Sequence, residues 1–110
     1  MDVGAATAAG IPVVNVSGRN ASAVAEFTIG LMLSESRHIA RSHASLMQGE
    51  WRKIYSAEPM EIEDKVVGLV GFGAIGRTVA RKLSGFGCKI IYFDPLVRDT
   101  ANSHAKKVEL

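Results

Sequence analysis

Apolar and polar residues fall into a pattern that predicts one long helix in the first half of the chain. Between about residues 20 and 50 there is no proline, and residues 24–33 are apolar on nearly every side. Farther on, Ile39, Leu46 and Met47 stand among polar residues, which is typical of an amphipathic helix. A helix that is apolar on every side must be buried on every side. We therefore expect part of this helix to pack on another chain or another domain.

The second half of the chain predicts a strand, a helix and a second strand. The run Val66–Val70 is short and β-branched without polar alternation, as expected of a parallel strand that is covered on both faces. Apolar residues at helical spacing follow over residues 74–87, where Gly85 and Gly87 are stop signals. A second apolar run, Lys89–Phe93, predicts another buried strand. This order predicts an α/β fold with a parallel sheet.

Shorter elements are predicted near the two ends of the sequence. The opening residues predict a helical turn that is ended by Gly10, and then a short strand over residues 12–16. In the polar turn that follows, Asn20 or Ser22 is the predicted N-cap of the long helix, since both side chains accept backbone hydrogen bonds. Residues 107–110, "KVEL", predict the start of a third strand.

A glycine-rich motif, "GFGAIG", lies between the first strand and its helix. Its glycines are Gly71, Gly73 and Gly76, which match the G-x-G-x-x-G spacing. Asp94 closes the second strand about 20 residues farther on, as a dinucleotide fingerprint requires. Gly71 permits the tight turn, Gly73 lets the backbone approach a pyrophosphate, and Gly76 lets the helix lie close to the strands. The alternative is a strand–turn–helix whose glycines serve only packing.

The positions around the motif predict which groups of a cofactor would be bound. Free N–H groups around Ala74 and Ile75 lie at the positive end of the helix dipole and favour phosphates. Asp94 is predicted to accept hydrogen bonds from both hydroxyls of the adenosine ribose, and its charge would repel a 2′-phosphate. The expected cofactor is therefore NAD in preference to NADP.

Basic residues beside the motif leave two questions open. Arg77 stands in the first turn of the helix, where a cation opposes the helix dipole. A nearby phosphate would compensate for this cost, and an arginine turned into solvent is the alternative. Lys89 and Arg98 are cations that would soften the preference for NAD over NADP.

Composition narrows the range of functions. The chain has 110 residues, 47% of them apolar and 22% charged, which is typical of one globular domain. A formal net charge of +2 is too small to indicate nucleic acid or a membrane as partner, and no apolar run is long enough to span a bilayer.

Cys88 is the only cysteine and is interpreted as a buried reduced thiol, which favours the cytoplasm. His38 and His43 lack the i, i+4 spacing of a helical metal site, so no metal is predicted.

Three stretches of the sequence carry a resemblance to a known family. They are "AATAAGIPVVNVSGRNASAVAEFTIGLML", "GEW" and "VVGLVGFGAIGRTVARKLSGFGCKIIYFDP", and they follow in this order over essentially the whole chain. Together they resemble the D-isomer-specific 2-hydroxyacid dehydrogenases, and the phosphoglycerate dehydrogenase-like branch in particular. The segment "NVSGRNASAVAE" is a hallmark of that family. The resemblance implies a Rossmann-type, doubly wound parallel sheet, of which residues 1–110 form a single partial NAD-binding domain.

The resemblance also assigns roles to individual residues. Ala74 and Ile75 match the pair whose backbone meets the pyrophosphate, and Asp94 matches the acid that binds the ribose. Val24 falls where many members place a threonine near the nicotinamide, and a valine cannot donate that hydrogen bond. These assignments add Val24 to the cofactor-binding residues that the motif predicts.

The same resemblance implies an assembly. The long helix at about residues 20–50 matches the hinge and dimerisation helix of the family, so a homodimer formed through the helix between Ala23 and Met47 is expected. Residues 65–95 match the β-α-β unit that binds the nucleotide. The expected partners are therefore NAD and a second copy of the chain.

The reaction that the resemblance implies is hydride transfer between NAD and a small D-2-hydroxy acid. The catalytic arginine, glutamate and histidine of the family lie well downstream of the ribose-binding acid, and none of the three histidines here matches. The substrate-binding segment of the family precedes the residues seen here. We therefore expect a portion of an NAD-dependent 2-hydroxyacid dehydrogenase that is inactive alone. The alternative is a catalytically inert, dimerising NAD-binding or assembly module.

Overall fold

The computed structural model describes residues 1–51, 58–98 and 104–109, in which helices are combined with a parallel sheet. The elements in chain order are α1 (Val3–Ala8), α2 (Ala21–Ser36), α3 (Ile39–Met47), β1 (Val66–Val70), α4 (Ala74–Leu83), a short 3-10 helix (Ser84–Phe86), β2 (Lys89–Phe93) and β3 (Lys106–Lys107). The three strands form one parallel sheet in the order β1-β2-β3. The Rossmann-type α/β fold class predicted from the sequence is confirmed.

The strand–helix–strand unit forms where the pattern predicts it, because its apolar residues share one face. β1 and β2 pair with Leu69 opposite Tyr92. Tyr92 and Leu83 of α4 are fully buried, and Leu69 packs against the core that contains them. Ala25 of α2 belongs to the same core, so α2 and α4 cover one face of the sheet together. Gly87 ends the helical stretch in the left-handed conformation, with φ 69°, in agreement with its predicted role as a stop signal.

The expectation that the first strand is covered on both faces is wrong for the described residues. Val66 is 59% exposed and Val70 is 86% exposed. Val67 and Leu69, which alternate with them, pack against the core. Because side chains point alternately to the two faces of a strand, the packing helices cover only one face. Val66 and Val70 on the other face of β1 therefore stay largely exposed among the described residues.

The predicted single helix over residues 20–50 is two helices, α2 and α3, separated at Arg37 and His38. His38 is buried and adopts the left-handed conformation, with φ 55°. In a continuous helix the Ser36 carbonyl would accept the N–H four residues farther on. Here it accepts the Met60 N–H at 2.7 Å. The break therefore involves a loop from later in the chain, which the local pattern does not reveal.

α2 is buried along one side only, which differs from the expectation of burial on every side. Ala21, Ala25 and Ile29 are buried, whereas Phe27 is 68% exposed and Leu31 is 55% exposed. The buried residues are spaced by four and therefore share one face of the helix. The exposed apolar side is the one for which packing on another chain is expected.

The two ends of the chain differ from the prediction in detail. The opening helical turn is α1, and Gly10 follows it with φ 71°. Residues 12–16 form no strand, and Val14 among them is 85% exposed. An extended segment becomes a strand only where a neighbour pairs its N–H and C=O groups, and none of the described strands lies beside this one. The third strand is present at Lys106–Lys107, paired with β2, while Leu110 lies outside the described residues.

Candidate functional site

The turn between β1 and α4 has a backbone geometry that requires two of its three glycines. Gly71 has φ 93°, which residues with a side chain rarely adopt. Its N–H donates to the Phe93 carbonyl at 2.8 Å and ties the turn to the end of β2. A Cβ added at Gly76 would lie 2.3 Å from the Gly71 carbonyl oxygen, so only glycine lets α4 approach the strand this closely. Both glycines are therefore needed by the turn itself.

Gly73 lies directly before α4 and leaves open space at the N-terminus of the helix. A Cβ added there would meet no atom within 4 Å. As the N-cap, Gly73 supplies no side-chain hydrogen bond, and the first N–H groups of a helix have no acceptor within it. The N–H groups of Ala74 and Ile75 belong to this first turn, and both residues are exposed. The end of the helix therefore offers hydrogen-bond donors and a positive dipole to an anion.

A cleft of about 530 Å³ lies along this turn and extends to the segment before α2. A Cβ added at Gly18 would lie 3.5 Å from the Ala74 Cβ, so the two segments are in close contact. Asn20 and Thr28 also line the cleft. Sequence reasoning missed this wall, because it treated Asn20 only as a cap and gave Gly18 and Thr28 no role. The Asn20 side chain makes no capping bond. Only the long-range packing of α2 on α4 brings these residues to the motif.

Asp94 follows β2 and directs its carboxylate to the backbone around it. Oδ2 accepts the Phe72 N–H at 2.7 Å, and Oδ1 accepts the N–H groups of Leu96 at 2.8 Å and Val97 at 3.1 Å. These donors, led by Phe72, hold the pKa of Asp94 below its ordinary value, and the charge of Lys107 contributes in the same direction. The carboxylate is therefore charged at neutral pH. Since a carboxylate has about four acceptor positions, about one remains for a ligand.

Arg77 is exposed and also contacts the turn through its side chain. Its Nε donates to the Phe72 carbonyl at 3.0 Å, and its guanidinium carbon lies 5.9 Å from the centre of the Phe72 ring. That ring stacks on Tyr92, with 3.7 Å between the ring centres. The guanidinium thus contacts the turn while the residue remains exposed, and a direct phosphate contact stays a prediction.

This combination of turn, cleft and carboxylate corresponds to a known domain. Residues 29–110, from within α2 onward, match the family of the D-isomer-specific 2-hydroxyacid dehydrogenases at its NAD-binding domain. The chain belongs to this family. The family predicted from the quoted stretches is confirmed, and the cofactor of the domain is NAD, as predicted.

Individual proteins are similar over nearly the whole chain. Hydroxypyruvate reductase from Thermotoga maritima is 45% identical over 100 residues, which cover 91% of this chain and 32% of that protein. D-3-phosphoglycerate dehydrogenase from Methanocaldococcus jannaschii is 43% identical over 98 residues, which cover 88% of this chain and 18% of that protein. The crystal structure of NAD-dependent formate dehydrogenase from Staphylococcus aureus in complex with NAD has a TM-score of 0.87 at 31% identity, and the match covers 98% of this chain and 33% of that one. The chain therefore spans about a third or less of the length of these relatives.

Val24, which the family resemblance placed near the nicotinamide, does not line the cleft. It is half-buried on α2, and its carbonyl accepts the hydroxyl of Thr28 at 2.8 Å. Thr28 lies one helical turn farther along and does line the cleft. The structure therefore places Thr28, and not Val24, in the wall that faces the glycine-rich turn.

The residues that the structure describes contain neither a membrane-spanning helix nor a metal-binding cluster. None of the helices there is long and apolar enough to cross a membrane. No group of three or more His, Cys, Asp or Glu side chains in that part of the chain is placed to hold a metal ion. The cleft at the glycine-rich turn is thus the candidate functional site in this part of the chain.

Proposed function

We propose that this chain binds the adenosine and pyrophosphate of NAD for a protein that transfers hydride between NAD and a small D-2-hydroxy acid. The observation that carries the proposal is the charged Asp94 carboxylate, which accepts the N–H of Phe72. Asp94 and Phe72 do not line the cleft themselves, but Gly71 and Gly73 on either side of Phe72 do. The carboxylate brings an acceptor for ribose hydroxyls beside a helix N-terminus that suits a pyrophosphate. The names of the similar proteins, which are dehydrogenases and a reductase, support the reaction class.

The pyrophosphate would be held by the backbone at the start of α4. Ala74 and Ile75 are exposed there, and the open space at Gly73 allows a phosphate to approach the N–H groups of the first turn. Gly71 shapes the turn through its positive φ angle, and Gly76 does so through its close contact with the Gly71 carbonyl. When bound, the nicotinamide of NAD supplies the hydride acceptor, and these residues contribute by binding and orienting the cofactor.

The ribose would be held by Asp94, which in this arrangement has about one acceptor position left. One hydroxyl can therefore bond directly, and the second bond requires that Leu96 or Val97 release Oδ1. Lys89 begins β2, so it lies roughly 16 Å from Asp94 at about 3.3 Å per residue of strand. It is too far away to offset the negative charge. Arg98 is exposed and much closer in sequence, yet the carboxylate still opposes a 2′-phosphate, which supports NAD over NADP.

These 110 residues are proposed to be inactive without further sequence. The family resemblance places the catalytic arginine, glutamate and histidine elsewhere, and none of the histidines of this chain lines the cleft. His38 is buried at the break between α2 and α3, while His43 and His104 are exposed.

We propose the cytoplasm as the compartment of this protein, because Cys88 is a half-buried free thiol whose Sγ lies 3.7 Å from the Leu83 carbonyl.

The second candidate function is a catalytically inert module that binds NAD and associates. Exposed apolar side chains on α2 and α3 favour it, namely Phe27, Leu31, Leu46 and Met47. A homodimer formed through the helices between Ala23 and Met47 would bury them. Association of this kind is compatible with the first proposal too, so catalysis by the whole protein is what separates the two candidates.

Calorimetric titration with NAD tests the proposed site. We expect weak binding by the chain and a loss of about tenfold or more in Asp94→Ala, since a charge-assisted hydrogen bond is removed. Glu58→Ala, which removes an exposed acid that does not line the cleft, is the matched control and should bind like the unaltered chain. Equal affinity of both variants would contradict the role of Asp94. NADH production from any 2-hydroxy acid by the purified chain would contradict the proposed inactivity.

A further inference from the structure

Phe72, the residue between the first two glycines of the motif, is held on three sides. Its N–H donates to Asp94 at 2.7 Å, and its ring stacks on Tyr92 with an interplanar angle of 13°. The side chain is 2% exposed, although Gly71 and Gly73 on either side of it are exposed. A buried anchor therefore sits between two of the most permissive residues of the chain.

Arg77 supplies the third contact, and its place in the helix is otherwise unfavourable. It stands in the first turn of α4, where the dipole disfavours a cation, and no acidic side chain accompanies it there. Its Nε donates to the Phe72 carbonyl at 3.0 Å, and its guanidinium lies over the Phe72 ring. Lysine has neither the Nε–H nor the planar group that make these two contacts.

We propose that Arg77 is a positioning residue for the nucleotide, which acts by fixing the peptide of Phe72 and not by contacting a phosphate. The bond from Arg77 to the Phe72 carbonyl and the bond from the Phe72 N–H to Asp94 restrict the rotation of Phe72 about its neighbouring glycines. The donors at Ala74 therefore keep their direction toward the pyrophosphate before any ligand arrives. A turn ordered in advance loses less conformational entropy on binding. The inference rests on the proposed function, since it concerns binding of NAD at this turn.

Three variants separate this role from the alternatives: Arg77→Gln, Arg77→Lys and, as a matched control on the same helix, Arg81→Gln. Arg81 lies in the last turn of α4 and is exposed. For each variant, amide hydrogen exchange of Phe72 is measured without nucleotide, NAD affinity by calorimetry at several salt concentrations, and stability by thermal unfolding.

If Arg77 positions the turn, both Arg77 variants accelerate exchange at Phe72 and weaken NAD binding, each by about fivefold. The salt dependence of NAD binding and the melting temperature then stay those of the unaltered chain, and Arg81→Gln changes nothing. Rescue of NAD affinity by Arg77→Lys, with a weaker salt dependence in Arg77→Gln, would show a direct phosphate contact and overturn the inference. Faster exchange along the whole of α4 with a lower melting temperature would also overturn it, because the role would then be structural only. If the unaltered chain binds no NAD, the proposed function fails. Unchanged exchange at Phe72 in Arg77→Gln refutes the positioning role of Arg77 itself.

Discussion

The Asp94 carboxylate accepts the Phe72 N–H at 2.7 Å across 22 residues of sequence. This bond joins the end of β2 to the turn that follows β1, so the two ends of the parallel strands are tied together where the cleft begins. The same carboxylate also accepts the N–H of Leu96 within its own turn. Asp94 therefore organises the backbone around the proposed nucleotide site as well as offering an acceptor to the ribose.

The first prediction concerns the pH dependence of stability in Asp94→Asn. Because the pKa of Asp94 lies below 3.8 in the folded chain, the carboxylate stabilises the fold above its unfolded pKa, and this contribution is lost as the pH falls through the folded pKa. We expect the unaltered chain to have the higher urea midpoint above about pH 5, and the gap between the two midpoints to narrow as the pH falls below the ordinary pKa of an aspartate, about 3.9. Urea unfolding at a series of pH values measures this. A gap that stays constant down to low pH would contradict the prediction.

The second prediction compares alanine at two glycines of the motif. Gly76→Ala should lower the free energy of unfolding by about 1–3 kcal/mol, because the new Cβ would lie against the Gly71 carbonyl. In Gly73→Ala the added methyl group meets no atom, but alanine is a poorer N-cap than glycine, so the free energy of unfolding should fall by only about 0.5–1 kcal/mol. The substitution should nevertheless weaken NAD binding by about tenfold, since the methyl group would stand where a phosphate approaches. Chemical unfolding and calorimetry of both variants check these values, and equal destabilisation would contradict the packing difference.

The strand–helix–strand unit could be predicted because its signals are local. A β-branched run, a glycine motif and an apolar repeat lie next to each other, and the structure places β1, α4 and β2 on them. The left-handed glycine at Gly87 is likewise a local signal for the end of a helical stretch. For the same reason the position of Asp94, directly after an apolar run, could be read from the sequence.

The features that could not be predicted depend on contacts between distant residues. The break at His38 coincides with the Met60 N–H on the Ser36 carbonyl, which no periodicity of the helix encodes. Thr28 reaches the cleft because α2 packs on α4, and the bond of Arg77 to Phe72 depends on how the turn is folded. Hydrophobic pattern describes which residues are buried, and it does not specify which partners they meet.

The third prediction concerns the ion pair that joins α2 to α4. Lys82 Nζ lies 2.7 Å from Glu26 Oε1, and this hydrogen bond and charge hold the pKa of Glu26 below 4.5. We expect an NMR titration of the Glu26 carboxyl to give a midpoint below 4.5 that rises in Lys82→Met. Both effects should weaken in about 0.5 M salt, because the pair is partly exposed and is screened. Arg81→Met is the control, since that side chain is not paired with Glu26 among the described contacts. A midpoint that is unaffected by Lys82→Met would contradict the pair in solution.

The fourth prediction concerns association through α2. Phe27 and Leu31 are four residues apart and therefore share one face, and both are more than half exposed. We expect light scattering after size exclusion to give twice the chain mass of 11.7 kDa for the unaltered chain and a shift toward 11.7 kDa in Phe27→Ser and Leu31→Ser. Removing a central aromatic or apolar contact on both protomers should raise the dissociation constant by about tenfold or more.

Val14→Ser is the matched control for this face, because Val14 is 85% exposed but lies outside α2 and α3. It removes a comparable apolar side chain and should leave the dimer intact. Helical circular dichroism should stay the same in all three variants, since none of these side chains belongs to the buried core. A monomeric unaltered chain, or equal loss of dimer in Val14→Ser, would show that this face of α2 does not form the interface.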